Sequence, residues 1–295
     1  MKKQLLIVIS CIVALDILVW FFILYPAEAQ NPELYFLPVG QGDSSLVNLP
    51  GPLAGSGQAV QMLIDGGPVN GKARENLEKI LPANDRYLDL VMISHPQLDH
   101  YGGLIEVLKN YEIGAVLFNG QRADGPNWAG LVKVAREQKI PMVALYSGDA
   151  IKYRDSVFKI LNPKPGEWAE DINDLSLVVL GRIYSNVLKN IGIDILFTGD
   201  ISAEKEKELA RLYDLNADIL KVSHHGSKYS SDSDFLKKVS PAVSVIEVGK
   251  NSYGHPTKEA LGRLANFSRQ VYRTDENGLV KLVVDNDKIK VYTTR

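Results

Sequence analysis

The sequence predicts an α/β fold of two facing mixed sheets with helices outside, preceded by an N-terminal transmembrane helix. Three observations carry this expectation. Apolar strand-like runs alternate with amphipathic segments of helical period. The first strands are separated only by short loops, as in an antiparallel meander. An apolar run of membrane-spanning length opens the chain.

Composition narrows the function. The 295 residues are 45% hydrophobic and 23% charged, which excludes global disorder. A net charge of −2 argues against wholesale wrapping of nucleic acid and leaves room only for a local basic groove. The single cysteine, Cys11, lies in the apolar opening segment. Any metal site in the rest of the chain must therefore be built from His, Asp, Glu, Asn or Gln.

Lys2 and Lys3 precede the apolar stretch from Leu5 to Tyr25, which only Asp16 interrupts, and no Lys or Arg follows until Lys72. The positive-inside rule then sets the N-terminus in the cytoplasm and the remainder outside. Ala27-Glu28-Ala29 resembles a small-x-small cleavage site, and cutting before Gln30 would release the domain. An uncleaved anchor is preferred because the apolar run exceeds a usual signal core. The expected division is a segment 1–30 and a domain 31–295.

Glu33–Leu37, Ser45–Leu49 and Gln61–Ile64 read as the meander strands, and Lys72–Leu81 as a helix ended by Pro82. Leu88–Ile93 is a buried strand, Leu104–Tyr111 a helix, Ala115–Phe118 a strand and Trp128–Gln138 a helix. Met142–Leu145 and Val157–Leu161 are short strands. A second sheet begins with Leu177–Leu180 and Ile193–Phe197, with Ser185–Asn190 between them. Ser202 opens a helix through Tyr213, whose glutamates near the start and Arg211 near the end suit the helix dipole. Ile219–Val222 and Val243–Val248 are further strands, Lys258–Phe267 is a helix, and Leu279–Val284 with Ile289–Tyr292 form a hairpin turned near Asn286.

The five histidines are the informative residues. His95, His100, His224, His225 and His255 each follow an expected strand and lie in a turn with Gly or Pro nearby. Asp65, Asp99 and Asp200 share that placement. Histidines of a packed core would not sort this way, and turns at strand ends are where ligands bind. His and Asp there suit zinc or manganese. The competing reading of Asp99 is a carboxylate favouring a helix N-terminus, with Gly102-Gly103 easing the turn.

His95-Pro96-Gln97-Leu98-Asp99-His100, Asp65-Gly66-Gly67 and Thr198-Gly199-Asp200 resemble the ordered motifs of the metallo-β-lactamase superfamily. Val39 to Asp43, Ser94 to Gly103, Asn173 to Ser176, Phe197 to Asp200, His224 to Ser227 and Tyr253 to Pro256 resemble more narrowly the C-terminal hydrolase domain of the competence protein ComEC. The likeness covers residues 33–295. It implies an αββα sandwich holding two divalent ions, zinc or manganese. The implied ligands are His95, Asp99, His100, Asp200 and His255, with Gln97 as a weaker candidate and Asp200 bridging the two ions. It implies supporting roles for Asp65, Asn173 and Ser176, and catalytic roles for Asp99, His224 and His225. Two departures stand out. Gln97 occupies a position where ComEC-like domains carry an acid and the wider superfamily a histidine. No histidine lies between His100 and His224.

The implied reaction is attack of a metal-bound hydroxide on a phosphodiester of DNA or a nucleotide. The alternatives are hydrolysis of a lactam, lactone or thioester, and a non-catalytic surface protein that binds nucleic acid or a partner. Lys221, Lys228, Lys237, Lys238, Lys250 and Lys258 make the region from His224 to His255 locally basic, suiting either a phosphate-bearing substrate or plain solvation. Asp43 is read as a turn residue, with a site-lining role as the alternative. No protein partner is expected.

Overall fold

A computed structural model describes residue 4 and residues 9–18, 31–51, 59–184 and 192–295. Residues 9–18 form an exposed helix, α1. Among the described residues no helix is long and apolar enough to cross a membrane. The expected transmembrane helix is thus not found there; most of Leu5 to Tyr25 lies outside the described residues, as does the segment Ser185–Asn190.

The strands are β1 (Glu33–Phe36), β2 (Ser45–Leu49), β3 (Val60–Ile64), β4 (Tyr87–Ile93), β5 (Glu112–Phe118), β6 (Met142–Ala144), β7 (Ala150–Tyr153) and β8 (Ser156–Asn162). They continue as β9 (Val178–Tyr184), β10 (Gly192–Phe197), β11 (Ile219–Lys221), β12 (Val243–Ile246), β13 (Gln270–Arg273), β14 (Val280–Asp285) and β15 (Lys288–Thr293). The helices after α1 are α2 (Lys72–Ile80), α3 (Leu98–Tyr101), α4 (Leu104–Asn110), α5 (Pro126–Glu137), α6 (Ala203–Leu212), α7 (Ser233–Val239), α8 (Lys258–Phe267) and α9 (Thr274–Asn277). The expected elements are present with ends shifted by a few residues. The short α3, α7, α9, β7 and β13 were not expected.

One sheet runs β15-β14-β1-β2-β3-β4-β5-β6 and the other β13-β12-β11-β10-β9-β8-β7. Both are mixed. The meander β1-β2-β3 is antiparallel, whereas β3 to β6 and β10 to β13 are parallel. The terminal hairpin returns to pair β14 with β1, closing the first sheet on the strand that began it.

Alternation along each strand divides the apolar side chains between layers. In β1, Leu34 and Phe36 face the second sheet, while Tyr35 packs outward. In β4, Met92 faces inward, and Val91 and Ile93 meet Leu77, Leu104 and Leu131 of the first helical layer. In the second sheet Ile219 and Val245 face inward, while Leu220 and Ile246 pack outward with Leu209, Leu236 and Leu264. The result is the expected αββα sandwich.

This arrangement positions the site. The parallel strands β3 and β4 of one sheet and β10, β11 and β12 of the other end at the same edge of the sandwich. Each delivers a polar residue just past its last strand position: Asp65, His95, Asp200, the pair His224-His225, and Glu247. Convergence at the carboxyl ends of parallel strands is the usual place for a ligand crevice.

Phe158 is 2% exposed in the inter-sheet core, and its ring fills the space over Gly181, where an added Cβ would meet its Cδ1 at 2.6 Å. Phe158→Ala should lower unfolding stability by about 3–5 kcal/mol, read by urea denaturation.

Candidate metal centre

Three imidazoles are held by one rule: Nδ1 is tethered and Nε2 is left free. Ser94, at the end of β4, donates its Oγ proton to Asp65 Oδ2 at 2.7 Å, so the same oxygen accepts from His95 Nδ1 at 3.0 Å. His100 Nδ1 donates to Asp65 Oδ2 at 3.0 Å. His225 Nδ1 donates to the Glu247 carbonyl at 2.9 Å and lies 3.1 Å from Asp43 Oδ1. This leaves His95 Nε2, His100 Nε2 and His225 Nε2 buried without hydrogen-bond partners, and Asp200 Oδ1 likewise. Polar atoms buried without partners are costly, so their clustering points to a missing cation.

The free atoms face one another. Asp200 Oδ2 is 3.3 Å from His100 Nε2 and 3.4 Å from His225 Nε2, and His225 Nε2 is 3.6 Å from Asp99 Oδ2. Among the described residues four groups have the spacing to hold an ion, including His95, His100 and Asp200; Asp99, His100 and His225; and Asp43, Asp65 and His100. Asp200 also groups with Asp43 and His225. A tethered Nδ1–H with Nε2 facing the ion is the arrangement a metal-binding histidine needs.

His225, expected in a catalytic role, enters two of these sets. His255 belongs to none of these sets. It lies on the cleft wall, its ring 5.5 Å from that of His224. Its Nδ1 is nevertheless buried without a hydrogen-bond partner. The inward turn of His225 has a backbone cause. His224 and His225 both take left-handed conformations, at φ 49° and 52°, so the two side chains diverge. His225 turns inward and His224 stays a third exposed, with Nε2 4.0 Å from Asp200. His100 also departs from the expectation of a plain turn, because it sits in the short helix α3.

The electrostatics reflect the crowding of carboxylates and imidazoles. Burial alone would raise Asp200, but His225 and His100 hold it well below the ordinary carboxylate range. Burial would lower His225, yet Asp200 and Asp43 push it up to about 10. His95, buried beside His100, falls to about 4 and is a neutral ligand across the physiological range.

Asn173 and Ser176 occupy supporting positions. Gln97 Nε2 donates to Asn173 Oδ1 at 2.6 Å, which leaves Gln97 Oε1 as the atom available for the cleft. Ser176 Oγ accepts from the Asp200 backbone N–H at 3.2 Å and donates to the Asn173 carbonyl at 2.7 Å. The turns interlock through the backbone: Gly66 N–H donates to the His100 carbonyl and Gly103 N–H to that of Gly67. At Gly42, with φ +139°, an added Cβ would lie 2.1 Å from the Asp99 carbonyl oxygen. Only glycine lets the Val39–Asp43 turn approach that closely.

Lys221 is not part of a surface basic patch. Its alternation with Ile219 in β11 points it between the sheets, where it is 2% exposed and ion-pairs with Asp43. Asp43 in turn flanks His225, and Glu247 lies beside the pair, accepting from Ser44 N–H and Ser45 Oγ. Burial and Asp43 raise Glu247 to about 8. Lys221, Glu247 and Ser94 are the members that sequence reasoning missed; their polarity at the carboxyl ends of apolar strands was the available signal.

Lys221→Met leaves Asp43 buried without its cation and should cost about 3–5 kcal/mol of stability, measured by denaturant unfolding.

No family model matches the chain. Over 275 residues it is 28% identical to ComE operon protein 3 of Bacillus subtilis strain 168, covering 88% of this chain and 34% of that protein. The chain spans about a third of the length of the curated relatives it matches. Its fold is similar to that of the metallo-β-lactamase fold protein YhfI from Bacillus subtilis, with a TM-score of 0.53, 13% identity, and coverage of 85% of this chain and 100% of that one. It is also similar to Igni18, a metallo hydrolase from Ignicoccus hospitalis, with a TM-score of 0.51, 16% identity, and coverage of 86% and 100%. In sequence the chain is thus similar to a competence protein, and its fold is similar to that of metallo-β-lactamase fold proteins.

Proposed function

We propose that the protein is a metal-dependent hydrolase of phosphodiesters, in DNA or a nucleotide, using two divalent ions of zinc or manganese type. The observation that carries this reading is the set of three buried, unpartnered Nε2 atoms around Asp200. His95 and Asp200 with Gln97 Oε1 would hold one ion. Asp99, His100 and His225, with Asp200 shared, would hold the other. Bound there, the ions would supply Lewis acidity and activate water as the nucleophile.

The chain's own residues do the rest. Asp65 and Ser94 fix the orientation of His95 and His100, and Asp43 with the Glu247 carbonyl fixes His225. His224 is partly exposed in the cleft and is the group placed to give a proton to the leaving oxygen. The phosphodiester part rests on the ComEC-like sequence motifs and on the exposed Lys228, Lys250 and Lys258 of the segment that carries His224 and His255. We read the apolar N-terminal segment as an anchor that places this domain outside the membrane, with no protein partner required.

The purified chain should carry about two divalent ions and cleave bis(p-nitrophenyl) phosphate in preference to a β-lactam. Asp200→Ala should lose both the ions and the activity, measured by elemental analysis and hydrolysis on the same sample. A protein with ions that cleaves only the β-lactam overturns the substrate class. One with no ions and no hydrolysis favours a binding protein of the same fold. His224→Ala should keep its ions while kcat falls by about 10²–10⁴-fold.

A further inference from the structure

The cleft has one wall that the hydrolytic chemistry leaves unused. Tyr253 lines the cleft together with Gln41, Pro68, Leu98 and the histidines, yet 73% of its surface is open to solvent. A single exposed tyrosine is ordinary. This one differs in how it is held and in where it stands.

The loop that carries it is fixed by Asn251. The Asn251 amide donates to the carbonyls of Gly249 and His255, both at 2.8 Å, and its Oδ1 accepts the N–H groups of Tyr253 and His255, both at 3.0 Å. Both donors and both lone pairs of one side chain are thus spent on holding the loop. The aromatic side chain is exposed on a backbone that is not free to bury it.

Its position continues the line of site residues outward. The Tyr253 ring centroid is 5.9 Å from that of His255 at an interplanar angle of 31°, and His255 lies 5.5 Å from His224. His224 Nε2 then reaches within 4.0 Å of Asp200. A series of rings therefore runs from the open rim to the buried carboxylate, along a cleft of about 400 Å³. That volume falls within the range of small-ligand sites.

We propose that Tyr253 forms a nucleobase-stacking subsite. It would hold a base of single-stranded nucleic acid or of a nucleotide against the rim, with the adjoining phosphodiester directed to Asp200 and the histidines. Every base offers a π face, so such a platform binds without reading sequence. The proposal rests on the phosphodiester reading and narrows it from phosphodiesters in general to those that carry a base next to the scissile group. The ring is a substrate contact, separate from the groups that hold ions.

The test is fluorescence anisotropy of the full chain, loaded with metal, against two phosphorothioate strands of about eight nucleotides. One is oligothymidylate and the other is an abasic strand of the same length and charge. Tyr253→Ala should weaken oligothymidylate binding by about 5- to 150-fold and move abasic binding less than about twofold, while Tyr253→Phe should keep the wild-type preference. Equal loss on both strands, or no loss on either, overturns the proposal. So does a wild-type chain that binds both strands alike or neither. Hydrolysis of bis(p-nitrophenyl) phosphate by the same wild-type sample separates the two readings. If that hydrolysis persists while the base preference is absent, only the subsite fails. If it is absent too, the phosphodiester reading fails with it.

Discussion

Everything at this site depends on the tethering of imidazole Nδ1. A neutral imidazole has one N–H and one lone pair, and fixing the N–H commits the lone pair to the opposite direction. Ser94 does this for His95, Asp65 for His100, and the Glu247 carbonyl with Asp43 for His225. Three Nε2 atoms are thereby aimed at the space beside Asp200, and an ion bound there would displace the proton that Asp200 and Asp43 favour on His225. In a dry interior such atoms are unfavourable unless something positive completes them. The hydrogen bonds around the site and the chemistry inside it are therefore one design.

The fold supplies this geometry because two parallel stretches, one in each sheet, end at the same edge. Strand alternation decides which polar side chains enter and which do not. It sends Lys221 inward with Ile219, where the lysine meets Asp43 from the other sheet's turn. The glycine turns then allow the loops to interlock at backbone distance, so Asp43 and Asp65, from two separate turns, share the neighbourhood of His100 in α3. Holding several carboxylates together with imidazoles in a buried space is stable only while their charges balance, which is why Lys221 lies beneath them.

Much of this was legible in the sequence. The alternation of strands and helices gave the layers, and the placement of histidines and aspartates after strands marked the site edge. Asp65 is bonded to His100, Asn173 to Gln97, and Ser176 to the Asp200 backbone N–H. What could not be read was anything set by pairing across the sandwich. His224 and His225 are alike as adjacent turn histidines, and the left-handed backbone at both positions turns His225 inward and leaves His224 a third exposed. Lys221 looked like one more member of a basic run because its partner Asp43 is remote in sequence and belongs to the other sheet. Gln97 departs from the motif that the resemblance implies, and its Nε2 is tied to Asn173 Oδ1, a partner remote in sequence.

The central claim is that the three freed Nε2 atoms and Asp200 hold metal. Anomalous diffraction from a crystal grown with manganese or zinc tests it most directly. The account predicts two anomalous peaks flanking Asp200, one against His95 and the other against Asp99, His100 and His225. Peaks at His224 and His255 with none beside Asp200, or no peaks in a crystal that retains the fold, would contradict it.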